Sequence, residues 1–205
     1  MRCISGPIRR VASTVLPTKW GKYQAIGFER PPVGIGCAET AIALILGDPM
    51  HGASLLRIHS QCFTGDVLRS LRCDCGDQLE LAMRTIAAEG CGVLIYEHQE
   101  GRGIGLMAKL QAYSLQDKGL DTIAANQALG FEGDRRDFRL PVAILNSLGI
   151  QRVRLLSNNP DKLRALVRGG IEVVEQLPCE TPPHPCALPY LRTKKERMGH
   201  TLTMV

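Results

Sequence analysis

Twice in this chain a short apolar run passes straight into a polar loop and then into residues at helical spacing. Val93-Leu94-Ile95-Tyr96 leads through Glu97-His98-Gln99 to Glu100-Gly101-Arg102-Gly103-Ile104-Gly105, after which Leu106, Leu110 and Tyr113 recur at helical intervals. Residues 152–156 lead into Ser157-Asn158-Asn159-Pro160 and a basic helix through Lys162, Leu163, Leu166 and Val167, stopped by Gly169-Gly170. Further strands are expected at 39–46, 54–59 and 171–174, bounded by turn signals such as Gly-Asp-Pro and His-Gly. Strands alternating with helices predict an α/β layered fold.

Each strand-to-helix junction is a place where backbone amides can cradle an anion. Gly101, Gly103 and Gly105 depart from both the dinucleotide and P-loop spacings, and no Gly-Lys-Ser or Gly-Lys-Thr occurs, which argues against a Walker-type nucleotidase. A glycine cluster alone is commonly a tight turn; the adjacent Glu100 and Arg102 raise it above that. Ser157 to Pro160 with Lys162 offers a hydroxyl, capping amides and an ammonium, or simply a good N-cap. Gly133-Asp134-Arg135-Arg136-Asp137 alternates carboxylates and guanidiniums, a pattern usual on a solvated surface.

The second constraint is a C-x10-C-x-C spacing formed by Cys62, Cys73 and Cys75. Structural zinc is nearly always closed by four protein ligands, whereas catalytic zinc keeps three and leaves a position for water, whose pKa falls from about 15.7 towards roughly 7. Three thiolates without an obvious fourth ligand therefore suggest an open, catalytic site; ordinary half-buried thiols are the alternative. Asp77 and Glu80 read as a capping box for a helix through Leu79, Met83 and Ile86 that ends at Gly90. That places Cys73 and Cys75 just before a helix N-terminus, where the dipole favours thiolates. Arg57-Ile58-His59-Ser60-Gln61 ends a strand directly beside Cys62, with His59 either a core histidine or a group behind the metal.

With 205 residues, the chain suits a single domain, 1–205, with an ordered catalytic part at about 17–178 and a proline-rich tail, 178–205, that wraps the surface. No apolar run approaches the roughly 20 residues needed to span a bilayer, and the N-terminus lacks the apolar stretch of a secretory signal. A cytoplasmic protein with reduced thiols, and no membrane partner, is expected. Cys3, Cys37, Cys91, Cys179 and Cys186 receive no role. The net charge of +5 suits an anionic partner or serves solubility. One Trp, four Tyr and four Phe leave little for nucleic-acid stacking, so a small anionic ligand is preferred over nucleic acid.

Taken together these motifs resemble the GTP cyclohydrolase II family. The resemblance runs from near Pro17-Thr18-Lys19-Trp20-Gly21 to Thr193-Lys194-Lys195-Glu196-Arg197-Met198-Gly199-His200 and rests on several motifs in order. They are Arg57-Ile58-His59-Ser60, Cys62-Phe63-Thr64-Gly65-Asp66, Leu71-Arg72-Cys73-Asp74-Cys75-Gly76, Gln99 through Leu106, Ala125-Asn126, Leu129-Gly130-Phe131 and Asn158-Asn159-Pro160. It implies a mixed sheet with flanking helices, zinc on Cys62, Cys73 and Cys75, magnesium with the triphosphate, and a homodimer. GTP would be held by Arg57, Ile58, His59, Ser60, Gln61, Gln78, Glu100, Gly101, Arg102, Thr122, Ser157 and Lys162. Asp134 would be the general base, Arg136 the nucleophile and Tyr113 a residue that carries the reaction to completion.

The implied reaction opens the imidazole ring of GTP, loses C8 as formate and releases pyrophosphate, giving 2,5-diamino-6-(5-phosphoribosylamino)pyrimidin-4(3H)-one, the first step of riboflavin biosynthesis. Arginine stays protonated at ordinary pH, so electrostatic stabilisation of the α-phosphate is an equally good role for Arg136. Gln61 stands where the family often has Glu, and Ser157 where it often has Thr. Two rivals remain at this level. One is a homologue that stops at the formamidopyrimidine or serves another GTP-derived pathway; the other is a zinc-stabilised RNA- or protein-binding module, which predicts four zinc ligands.

Overall fold

The computed structural model describes residues 7–32, 38–131 and 134–205; Cys3, Cys37, Gly133 and the run from Met1 to Gly6 lie outside the described residues. Strands β1 (Arg9–Thr18), β2 (Gly21–Arg30), β3 (Glu39–Leu46), β4 (Ser54–Ser60), β5 (Gly92–Glu97), β6 (Arg152–Leu156) and β7 (Glu172–Leu177) form one sheet in the order β1-β2-β3-β5-β4-β6-β7. The pairs β1/β2, β2/β3 and β3/β5 are antiparallel, and β5/β4, β4/β6 and β6/β7 are parallel. The sheet is mixed, as the resemblance implies. Helices α1 (Phe63–Asp66), α2 (Cys75–Glu89), α3 (Leu106–Gln116), α4 (Thr122–Ala128), α5 (Arg139–Ser147), α6 (Pro160–Arg168) and α7 (Leu188–Met198) complete the fold.

β4 lies at the centre of the parallel half and is buried on both faces. Leu55 packs with Ala82, Met83 and Ile86 of α2, while Leu56 and Ile58 pack with Leu140, Ile144 and Leu145 of α5 and Leu166 of α6. Each fully buried Leu or Ile contributes about 1.5–3 kcal/mol relative to exposure, so the two cores clamp β4 from either side. The carboxyl ends of β4, β5 and β6 consequently emerge together, at the edge where open α/β sheets bind ligands.

The structure departs from the sequence expectations at several elements. β1 and β2 were not anticipated, because β1 is exposed at nine of its ten positions and shows no inward-outward alternation. α5 is buried at five residues of the run Leu140-Pro141-Val142-Ala143-Ile144-Leu145, and a short continuous apolar run does not distinguish helix from strand. The capping box at Asp77 and Glu80 does not form. α2 starts three residues earlier, at Cys75 after the N-cap Asp74, and Glu80 instead accepts from Lys19 and Arg69.

The C-terminal segment differs most from expectation. Pro185 and Pro189 stand in the first positions of a 3-10 turn (Pro185–Ala187) and of α7, where a missing N–H costs nothing, so the prolines start helices. Ala187, Leu191 and Leu202 form a small core of their own. Asn158 ties this segment to the loop after β6, donating to the Thr201 carbonyl at 2.6 Å and accepting from the Thr201 amide at 3.1 Å. Among the described residues no helix is long and apolar enough to cross a membrane.

Candidate active site

Cys62 follows β4 by two residues and caps the single turn of α1, while Cys73 and Cys75 flank Asp74 at the start of α2. Their three sulfur atoms lie within 4.8 Å of one another, with Cys62 Sγ 3.7 Å from Cys73 Sγ. A tetrahedral ion with Zn–S bonds of about 2.3 Å requires sulfurs roughly 3.8 Å apart, so the trio fits zinc. Gly65 forms the floor: a Cβ there would meet Cys73 Sγ at 3.0 Å and Cys62 Sγ at 3.1 Å. Among the described residues no fourth His, Cys, Asp or Glu joins the group, which is the donor set of an open site rather than a closed one.

Without an ion the three thiols compete for one negative charge. Hydrogen bonds from Cys73 and Cys75, aided by Lys109, hold the Cys62 thiol far below its ordinary range; Cys73 is pushed up to about 11 by its bond to Cys62, and Cys75 well up for the same reason. A divalent cation held by Cys62, Cys73 and Cys75 would supply the charge that lets all three ionise.

Lys109, on α3, is buried and donates to Cys62 Sγ at 3.1 Å and to Glu100 Oε1 at 2.7 Å. Burial opposes its charge, but the Cys62 thiolate and Glu100 hold it above the usual lysine range. Glu100 also accepts from the amides of Phe63 at 2.5 Å and Gly101 at 2.8 Å, binding the glycine loop to α1. Gly101 and Arg102 both adopt left-handed backbone, φ +62° and +61°. For Arg102 that conformation is strained, and it delivers a buried guanidinium whose Nη1 and Nη2 have no hydrogen-bond partner.

These groups line a cleft together with Ser60, Gln61, Tyr113, Thr122, Arg136 and Tyr190. The Tyr113 hydroxyl lies 3.3 Å from Thr64 Oγ1, one residue from the thiolate floor.

A second chamber adjoins the first, sharing Ser60, Cys75, Arg136 and Tyr190, and adds Arg57, His59, Gln78, Ser157, Lys162, Lys194 and His200. Arg57 donates to the Leu156 carbonyl and to Gln78 Oε1 but leaves Nε unpartnered, and His59 pairs with Asp66 through Nε2 while Nδ1 is unpartnered. Lys162 donates to the Ile58 carbonyl at 2.8 Å. Burial first, then Arg57 and Arg136, drive its pKa well below the usual lysine value, and His200 is pushed down to about 3 by burial first, then by Lys194, Arg136 and Lys162.

Most of the residues singled out from sequence converge on these two cavities. Ile58 does so through its carbonyl, its side chain being part of the core. Asp134 stands one step away: its carboxylate is engaged by the Arg136 amide, Nε and Nη2, and it faces a separate basic surface with Arg164 and Arg168. Arg136 reaches both cavities, and although burial opposes its charge, Asp134 holds it above the ordinary arginine value.

Sequence reasoning missed Lys109, Asp66, Tyr190, Lys194 and His200. Lys109 carried a faint signal, a charge on the inward stripe between Leu106 and Tyr113. Lys194 and His200 stood within a quoted motif, without a role.

The profile of the GTP cyclohydrolase II family matches residues 9–178. The chain is 51% identical over 194 residues to a GTP cyclohydrolase-2 of Buchnera aphidicola subsp. Schizaphis graminum, covering 94% of this chain and 97% of that one. It is 52% identical over 194 residues to a GTP cyclohydrolase-2 of Hahella chejuensis, covering 94% and 92% respectively. A solved structure of a two-domain 3,4-dihydroxy-2-butanone 4-phosphate synthase from A. baumannii aligns with TM-score 0.46 and 19% identity over 85% of this chain and 41% of that one.

Proposed function

The chain belongs to the GTP cyclohydrolase II family, and on that premise we propose that it is the hydrolase that opens the imidazole ring of GTP, with loss of formate and pyrophosphate, at the head of riboflavin biosynthesis. One observation carries this reading: three converging sulfur donors with no described fourth ligand border a chamber lined by Arg57, Lys162, Arg136 and Lys194, of which only the last two are paired with carboxylates among the described residues. A binding module with structural zinc would call for a fourth ligand. Zinc held by Cys62, Cys73 and Cys75 would act as a Lewis acid for hydrolytic attack at the purine C8.

The chain's own groups supply the rest. Arg57, Ser157 and Lys162 would receive the triphosphate, with magnesium sharing its charge, and the free donors of Arg102 and Glu100's loop would fix the nucleotide against the thiolates. Gln61, Gln78 and Thr122 complete the wall. Arg136 would stabilise charge at the α-phosphate: its environment strengthens its protonation, which opposes a nucleophilic role. Asp134 would orient Arg136, and by resemblance serve as base. Tyr113 would act beside the purine through its contact with Thr64. A cytoplasmic homodimer is part of the proposal, supported by the exposed Val11, Val15 and Leu16 on the edge strand β1.

Incubation of the zinc-loaded protein with GTP and magnesium should release formate and pyrophosphate in equal amounts. Cys73→Ser should abolish both, and product mass spectrometry should show the deformylated pyrimidine. Accumulation of the formylated intermediate would overturn the complete reaction, and undiminished pyrophosphate release by Arg136→Ala would remove Arg136 from it.

A further inference from the structure

The family profile ends at residue 178, yet the wall of the cationic chamber is completed by residues beyond it. α7 places Tyr190 on the boundary shared by both cavities and Lys194 in the second chamber. Lys194 is buried on an 11-residue helix and donates to Asp74 Oδ1 at 2.7 Å, with its ammonium 4.6 Å from the centre of the Tyr190 ring. The Arg102 guanidinium lies 5.4 Å from the same ring centre. An ammonium has three N–H donors; Asp74 takes one, and among the described residues the chamber it lines contains Arg57, Arg136 and Lys162 and no carboxylate.

The helix is anchored. Arg197 pairs with Asp121 at the start of α4, the His200 amide donates to the Lys194 carbonyl at 3.2 Å, and Asn158 holds Thr201 to the loop that carries Ser157. The strap is thus tied directly to the chamber's own wall.

We propose that Lys194 is a further substrate-binding residue of this enzyme, donating to the distal phosphates of the nucleotide, and that Tyr190 seats it by packing its ring against the ammonium at the boundary between the two cavities. The inference rests on the reading of this site as a GTP site. It extends the binding surface into the C-terminal segment. Asp74, at the N-cap position of the helix that carries Cys75, holds Lys194 in place through one carboxylate oxygen, and its other oxygen takes Gln78 Nε2.

Calorimetric titration of the zinc-loaded full chain with GTP, GMP and inorganic tripolyphosphate tests this, using Lys194→Met and the double variant Asp74→Asn/Lys194→Met. Loss of a charge-assisted contact should weaken GTP and tripolyphosphate roughly ten- to hundredfold, while GMP, lacking the distal phosphates, should change less than about twofold, within the scatter expected of a contact not made. The double variant leaves no unpaired buried carboxylate, so it covers the case in which the single variant fails to fold. A lysine that merely neutralised Asp74 would be rescued by the double variant, whereas a phosphate contact would not.

Full rescue, unchanged affinity for GTP and tripolyphosphate, or an equal loss for GMP would each overturn the proposal. A wild-type protein that binds tripolyphosphate in a Lys194-dependent way but yields no formate from GTP would overturn the activity and leave the Lys194 assignment standing. Binding of neither ligand by wild type would overturn both.

Discussion

The Lys109 ammonium sits 3.1 Å from the sulfur of Cys62, joining α3 to the thiol trio through a buried charge that also binds Glu100. Groups that hydrogen-bond to metal ligands typically change metal affinity ten- to hundredfold when removed. Lys109→Met should therefore surrender zinc to a competing chelator at a concentration about ten- to hundredfold lower than wild type. Equal zinc retention in a folded variant would show that the lysine serves only the glycine loop.

Gly65→Ala should lose zinc while keeping the fold. Its Cβ would lie 3.0 Å from Cys73 Sγ, 3.1 Å from Cys62 Sγ and 3.1 Å from Cys75 Cβ, crowding two of the three sulfurs and forcing them to shift. Circular dichroism should match wild type, and the zinc-to-protein ratio should fall well below one. A full complement of metal in this variant would mean that the sulfurs can spread apart.

Arg102→Gly should separate stability from function. The native residue holds φ +61° with two unpartnered guanidinium nitrogens, and left-handed backbone at a non-glycine residue costs about 1–2 kcal/mol. The variant should resist urea better by about that amount and bind GTP more weakly. Lower stability would show that Arg102 has partners in the folded protein that outweigh its strain.

Nucleotide binding should take up protons at pH values between the depressed Lys162 pKa of the free protein and its higher value in the complex. Burial and the neighbours Arg57 and Arg136 depress the Lys162 pKa, and a polyanion entering the chamber reverses the sign of that field, raising it. The binding enthalpy should then vary with the ionisation enthalpy of the buffer in the direction of uptake. The uptake should shrink in Lys162→Met; a buffer-independent enthalpy in wild type would contradict the crowded-cation account.

Local patterns carried much of this protein. The strand, loop and helix order at Val93 to Tyr113 and at residues 152–168 was legible because apolar runs, glycine loops and helical spacing are short-range signals. So was the thiol trio, since Cys62, Cys73 and Cys75 lie on consecutive segments. β1 and α5 were not, because an exposed edge strand and a continuous apolar helix lack a distinguishing period.

What the sequence by itself determined is the set of groups available: three thiols with open-site spacing, two strand-to-helix junctions rich in polar and basic residues, and a family of motifs in order. Only the tertiary structure decided which charges meet. Lys109 reaches Cys62 across 47 positions, Lys162 reaches the Ile58 carbonyl across 104, and Lys194 reaches Asp74 across 120. Such contacts arise from parallel strands ending at one edge and a tail folding back over it. The energy that fixes them is the burial of Leu55, Leu56 and Ile58 on the two faces of β4, which no local spacing encodes.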